Sequence, residues 1–315
     1  MHEKPQSAII AEGLTKGFAE VRAVDHLSFE VHAGEIFGLV GPDGAGKTTT
    51  LRMLAGIMPP DEGTARVADF DVVHDPEKAK RHLSYMPQRF GLYEDLTVDE
   101  NIRFYADLFG VNRTEREERS TRLLQAAGMR EFRRRLAGKL SGGMKQKLGL
   151  VCALIHRPKI ILLDEPTTGV DPVSRRDFWR ILYELVSEGV TILTSTAYLD
   201  EAERCHRIAL LHQGRLLFCD TPHNLKAKLG RSVLSITSSE PRRLRAALEN
   251  AVGISSLVLT GDGLHVVVDD GASRIPEFEA RLKNASVPFN TIRQVTPTIE
   301  DLFVDAVGSG ASARA

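Results

Sequence analysis

Residues 41–48 read GPDGAGKT, between the apolar run EIFGLV and the helix-like TTTLRML. The spacing is G-x-x-x-x-G-K-T, a phosphate-binding loop in its strand–loop–helix setting. Gly41, Gly44 and Gly46, with Pro42, Asp43 and Ala45 between them, let backbone N–H groups turn inward around phosphate oxygens. Thr48 and Thr49 then open a helix whose N-terminal N–H groups and positive dipole end face the same anion. Lys47 is placed to reach the β- and γ-phosphates, and Thr48 to put its hydroxyl on Mg²⁺. The loop implies a nucleoside triphosphate but does not choose among the many users of one.

Two further stretches could complete such a site. Asp164 and Glu165 end the apolar run IILLDEP. Strand alternation would send them to opposite faces, so Asp164 could hold the metal through its hydration shell while Glu165 polarises an attacking water as general base. LSGGMKQ (140–146) offers the Ser141 hydroxyl and an open backbone at Gly142 and Gly143, followed by a helix whose dipole would meet a phosphate. In isolation SGG is also an ordinary flexible turn.

These loops need a scaffold, and the chain supplies α/β patterning. SAIIAEGLTKGF, HLSFEVHAG, EIFGLVG, KIILLDEP and VTILTS read as strands, with helices at KTTTLRMLAGI, VDENIRFYADLFG and SRRDFWRILYELVSEG. A mostly parallel sheet follows. From about 88 to 150 helix dominates, as a helical insert. Beyond TPHNLKAKLGRS, the order strand, helix, strand, Asp262-Gly263 turn, strand, helix, strand is βαββαβ, a ferredoxin-like pattern, with Pro241 opening its first helix. The expected division is a nucleotide-binding domain over 1–225, an accessory domain over 226–308, and a frayed tail over 309–315.

Composition narrows the function classes. A net charge of −1 gives no electrostatic argument for nucleic acid or an anionic membrane surface, and EFRRRLAGK (131–139) reads as a solvated face. The 3 cysteines have neither metal-ligand nor disulfide spacing, which suits a reducing cytoplasm. No apolar run approaches the roughly 18–20 residues that span a bilayer. If the protein works at a membrane, another chain supplies the spanning part.

Taken in series, the phosphate loop, Gln88 in YMPQRFGLYEDLT, LSGGMKQ, IILLDEP and TTGVDP resemble the ATPase subunits of ABC transporters over about residues 8–220. The closing phrase TPTIEDLF is similar to the C-terminal extension of ABC-2 type exporter ATPases. FGLYEDLTV and AGKLSGGMKQKLGL resemble the N-terminal half of tandem multidrug-type ATPases. The resemblance implies a P-loop NTPase fold, ATP and Mg²⁺ as cofactors, and Phe18 stacked on adenine, where the alternative is a core phenylalanine. It implies Gln88 touching metal and water beside a permease-facing loop. Two ATPase units would meet head to tail, as a homodimer or with a second ATPase, ATP lying between one unit's Lys47 and the other's Ser141, with Asp171 crossing the interface. Metal contacts fall to Thr48, Gln88 and Asp164; catalysis to Glu165, Gln88 and Lys47. Partners would be ABC-2 type membrane permease subunits rather than nucleic acid, and the location the cytoplasmic face of the membrane. Asp43 departs from the asparagine often found there and adds charge near ATP.

A larger departure lies in TILTSTAYLDEAE (191–203). Similar families carry a histidine three residues before the first acid, in phrases such as THYMDEAE, and here that position is Ala197. Losing one such donor costs about 2.7–4 kcal/mol of transition-state stabilisation in comparable sites, so the site on this chain's own loop is expected to bind ATP and hydrolyse it slowly. His206, nine residues on along an expected helix, is a poor substitute, whereas Tyr198, Thr196 or a water are the alternatives. Three functions remain open: an exporter motor, a nucleotide-gated clamp with little catalysis, and a non-transport ABC ATPase. The accessory domain fits a regulator site, a dimer lock or an inert packing module equally well.

Overall fold

The computed structural model describes residues 6–308; the expected tail over 309–315 lies outside them. The chain forms two compact units. One comprises residues up to Tyr198 together with Cys205–Leu216, the other Leu199–Arg204 and Leu217 onward.

The first unit opens with β1 (Ser7–Phe18), β2 (Val21–His32) and β3 (Ile36–Val40), followed by α1 (Lys47–Leu54). Then come β4 (Glu62–Val67), β5 (Phe70–Asp71), α2 (Pro76–Lys80) and β6 (Leu83–Met86). Helices α3 (Val98–Leu108), α4 (Arg113–Ala126) and α5 (Gly142–Leu154) fill the predicted insert. Beyond it lie β7 (Ile160–Asp164), α6 (Pro172–Ser187), β8 (Thr191–Thr196), α7 (Leu199–Ala202), β9 (Arg207–His212) and β10 (Arg215–Asp220). An antiparallel sheet has the order β2-β1-β4-β5, and a 6-stranded sheet the order β10-β9-β3-β8-β7-β6. From β9 to β6 the second sheet is parallel. Every residue of β3, β7 and β8 is buried, as expected for strands covered on both faces. Helix starts follow local chemistry. Thr97 and Glu100 form a reciprocal capping box on α3, and Asp171 caps α6 with Pro172 in its first turn. Val98 and Ile102 of α3 are buried, whereas Leu108 near its end is 67% exposed.

In the second unit α8 (Pro222–Lys228) precedes β11 (Ser232–Thr237), α9 (Pro241–Leu248), β12 (Ile254–Thr260), β13 (Gly263–Val268), α10 (Gly271–Asn284), β14 (Thr291–Val295) and α11 (Ile299–Gly308). The order β12-β13-β11-β14, antiparallel throughout, is the ferredoxin-like arrangement. Leu234, Ile236, Leu264 and Val266 pack on Leu244, Leu248, Phe278 and Leu282 to form its core.

Two boundaries differ from expectation. The division falls inside β10 rather than after 225, because α8 packs against α11 and so belongs with the second unit. The hairpin turn is Gly261–Asp262, since Thr260 pairs with Gly263. Gly263 lies in the strand, where a Cβ would come 1.9 Å from the Ile236 carbonyl oxygen.

Candidate functional site

The loop between β3 and α1 sits at the carboxyl end of the parallel sheet, where ligands bind in open α/β folds. Two glycines are dictated by space. A Cβ on Gly46 (φ +97°) would lie 2.4 Å from the Ala23 carbonyl oxygen, and one on Gly41 2.4 Å from that of Leu211. The first-sheet hairpin and β9 therefore press directly on the loop. Pro42, Asp43 and Gly44 are exposed, Ala45 is buried, and Thr49 is half-buried on the first turn of α1.

Lys47 is almost fully buried, and its ammonium converges on three oxygens. It donates to the Gly41 carbonyl at 2.8 Å and the Pro42 carbonyl at 3.0 Å, and pairs with Glu165 Oε1 at 3.1 Å. Glu165 Oε2 accepts from Gln88 Nε2 at 3.0 Å and from the Thr168 hydroxyl at 3.3 Å. Asp164 Oδ1 accepts from the Thr48 hydroxyl at 2.9 Å and the Ser195 hydroxyl at 2.8 Å, while Tyr85 donates to Oδ2 at 3.1 Å. Burial, with the Asp164 charge beside it, pushes the Tyr85 phenol up to about 12, so it remains a donor to that carboxylate at neutral pH.

Strand alternation misplaces Glu165. β7 ends at Asp164, and Glu165 adopts φ +48°, a left-handed conformation rare for a residue with a side chain. The reversal turns Glu165 toward Lys47 while Asp164 faces Thr48, so both acids serve one end of the loop. The residue that sequence reasoning passed over is Ser195, one hydroxyl among the several of β8, with nothing in the spacing to single it out. It touches both acids: Asp164 through its own proton, and the Glu165 N–H at 3.0 Å through its oxygen.

Phe18 is 46% exposed at the end of β1, so the core alternative is overturned. It pairs with Val21, close in sequence to the Ala23 carbonyl that touches Gly46. Ser141 caps α5, accepting from the Met144 N–H at 3.3 Å. Gly142 borders open space; a Cβ on Gly143 would lie 2.6 Å from Ser174, so that glycine serves the approach of α5 to α6. Asp171 is exposed, and the Ser174 and Val173 N–H groups it accepts hold its carboxyl below the usual range.

Ala197 is exposed just past β8. Its neighbour Tyr198 lies beneath the Arg175 guanidinium, 4.4 Å from ring centre, and the Thr196 hydroxyl accepts the Tyr198 N–H at 3.0 Å. His206 is excluded for a different reason from the one expected. α7 ends at Ala202, and His206 Nδ1 accepts the Ile36 N–H at 2.9 Å, at the opposite end of β3 from the loop.

The ABC transporter family model matches residues 24–168. YbhF of Escherichia coli K12, a probable multidrug ABC transporter ATP-binding protein, is 44% identical over 98% of this chain; the chain spans 53% of that relative's length, about half. Nod factor export ATP-binding protein I of Paraburkholderia xenovorans is 38% identical over 96% of this chain and 98% of its own length. A solved ATP-binding subunit of an ABC transporter shares 31% identity and a TM-score of 0.65 over 71% of this chain and 94% of its own. A dimeric bacterial ABC transporter cassette shares 26% identity and a TM-score of 0.62 over 68% and 98%. With the loop, both acids, Gln88 and the serine–glycine turn each in place on this fold, the chain belongs to the ATP-binding subunits of ABC transporters.

Proposed function

We propose that this chain binds and hydrolyses ATP to drive export of a drug or other small molecule through separate ABC-2 type membrane subunits. The observation carrying the reading is the convergence of Lys47, Glu165 and Gln88 beside the Thr48–Asp164 pair at the mouth of one glycine loop. Lys47 grips and neutralises the terminal phosphates. Thr48 and Asp164 present adjacent hard oxygens suited to Mg²⁺, which takes one or two protein ligands beside substrate phosphates. Bound Mg²⁺ supplies charge neutralisation on the phosphate oxygens. Glu165 accepts the proton of the attacking water, and Gln88 orients it.

Ser141 and Gly142 at the exposed start of α5, with Asp171, are the surface on which a second ATPase, identical or not, would close over the nucleotide, Gly143 behind them letting α5 approach α6. Among the described residues no helix is long and apolar enough to cross a membrane. The family likeness to exporter ATP-binding proteins supports a place on the cytoplasmic face of the membrane against permease subunits, not nucleic acid. Ala197 favours a second reading, a nucleotide-gated clamp with little turnover. Glu165→Gln is expected to retain ATP binding and lose hydrolysis, and Lys47→Ala to lose binding. Undiminished hydrolysis by Glu165→Gln would remove the catalytic assignment, and turnover measured with the membrane subunits separates motor from clamp.

A further inference from the structure

The hydrogen bond that ends β7 is made by a side chain. Asp164 pairs with Ser195 in the parallel register, yet the next N–H, that of Glu165, finds the Ser195 hydroxyl oxygen at 3.0 Å rather than a backbone carbonyl. Ser195 is fully buried, so no water competes for this bond. Its proton points the other way, to Asp164 Oδ1 at 2.8 Å. The direction of the relay is thereby fixed: Glu165 N–H to Ser195 Oγ, Ser195 O–H to Asp164. At that same residue the backbone turns left-handed, φ +48°, which a side chain other than glycine enters only when its surroundings demand it.

We infer that Ser195 is a positioning residue that fixes the proton-accepting Glu165 to the metal-side Asp164 through one hydroxyl. Without the hydroxyl, the Glu165 N–H, at a half-buried residue, loses its acceptor, and the backbone has less to hold it left-handed. Relaxation to the extended region would continue the strand alternation and turn the carboxylate away from Lys47 and Gln88. The loop and the side chains of Lys47 and Thr48 are kept, and Lys47 loses only a competing carboxylate, so nucleotide binding persists while the water-activating geometry is lost. The inference rests on the general-base reading of Glu165.

Ser195→Val and Ser195→Thr test it, because the two side chains share a shape and differ in the hydroxyl; any cost of the added methyl cancels between them. The expected result has three parts. The valine variant should have kcat about 10- to 100-fold below the threonine variant, the usual consequence of displacing a reacting group by about an ångström. The valine variant should bind ATP and Mg²⁺ as tightly as the threonine one or up to about fivefold more tightly, since no group that grips phosphate is removed and only the carboxylate that competes for Lys47 turns away. In the nucleotide-free chain, the Glu165 amide should exchange its hydrogen at least about tenfold faster with valine than with threonine. Equal kcat in the two variants, or equal amide exchange, overturns the inference. Glu165→Gln is run beside them. If it is inactive while the valine variant works as well as the threonine one, only the role of Ser195 fails; if it is fully active, the reading of Glu165 itself fails.

Discussion

Position 197 follows directly on Thr196, whose carbonyl accepts the Gly41 N–H at 3.2 Å, so its backbone is tied to the first residue of the phosphate loop. On the other side, Tyr198 is held by the Thr196 hydroxyl and by Arg175. Ala197 is exposed and lies outside the residues of left-handed backbone, so a larger side chain there meets neither a steric nor a conformational penalty. Ala197→His thus adds an imidazole donor on a segment tied through Thr196 to the start of the phosphate loop. One preorganised donor to developing charge is worth about 2.7–4 kcal/mol, or about 10²–10³ in kcat. Steady-state phosphate release with ATP saturating is the assay, with Glu165→Gln as the inactive reference. Turnover by Ala197→His within about twofold of the native chain would refute the reasoning, because it would show that this site needs no donor at 197.

Phe18→Ala should leave thermal stability within about 0.5 kcal/mol, as for an exposed side chain, while weakening ATP binding by about 0.5–1.5 kcal/mol if the ring stacks on the base; titration calorimetry and melting separate the two. Gly46→Ala should cost about 1–3 kcal/mol and abolish nucleotide binding, because its Cβ meets a backbone oxygen that cannot yield. Glu165→Gln should tighten ATP binding by about 1 kcal/mol, roughly fivefold, since charge-assisted bonds are about twice as strong as the neutral one that replaces the carboxylate on Lys47; weaker binding would contradict that picture. In the second unit, Asp301 is fully buried and accepts from His265 Nδ1 at 3.1 Å and from the Thr298 N–H and hydroxyl, each at 2.8 Å. Burial pushes the Asp301 carboxyl up, but His265 and Thr298 together outweigh it and leave it lowered; His265 is raised, chiefly by that carboxylate. The Asp301 contribution fades as pH falls through its lowered value, and that of His265 as pH rises through its raised one. The pair should therefore stabilise most at mildly acidic pH, and His265→Ala should cost about 1.5–3 kcal/mol there and less at alkaline pH, measured by denaturant unfolding.

The chemistry was legible in sequence where it depended on contiguous residues. GPDGAGKT and IILLDEP carry their signal in local spacing, LSGGMKQ gained its reading only in series with them, and the apolar runs marked the buried parallel strands. What escaped depended on distant partners or on one backbone angle. Edge strands such as β5 and the short β6 carry too few residues for an alternation to show. The length of the helix after Ala197 was overread because DEAE is good helix chemistry, whereas the chain must turn at 203–206 to bring β9 beside β3. The placement of Glu165 failed for a similar reason: alternation holds only while the ladder lasts, and the ladder ends one residue earlier.

That early ending links the resting arrangement to catalysis. An ammonium already engaged by two carbonyls and a carboxylate cannot keep all three oxygens and also grip a phosphate. The carbonyls of Gly41 and Pro42 belong to the loop that must reshape least, so the exchangeable partner is Glu165. Its carboxylate would otherwise be left as a loose charge, but Gln88 holds one oxygen and Ser195 holds its backbone. Lys47 and Glu165 thus occupy each other at rest; on the proposed assignments, the exchange that seats phosphate would also release the base, at a position set beforehand by Gln88 and Ser195.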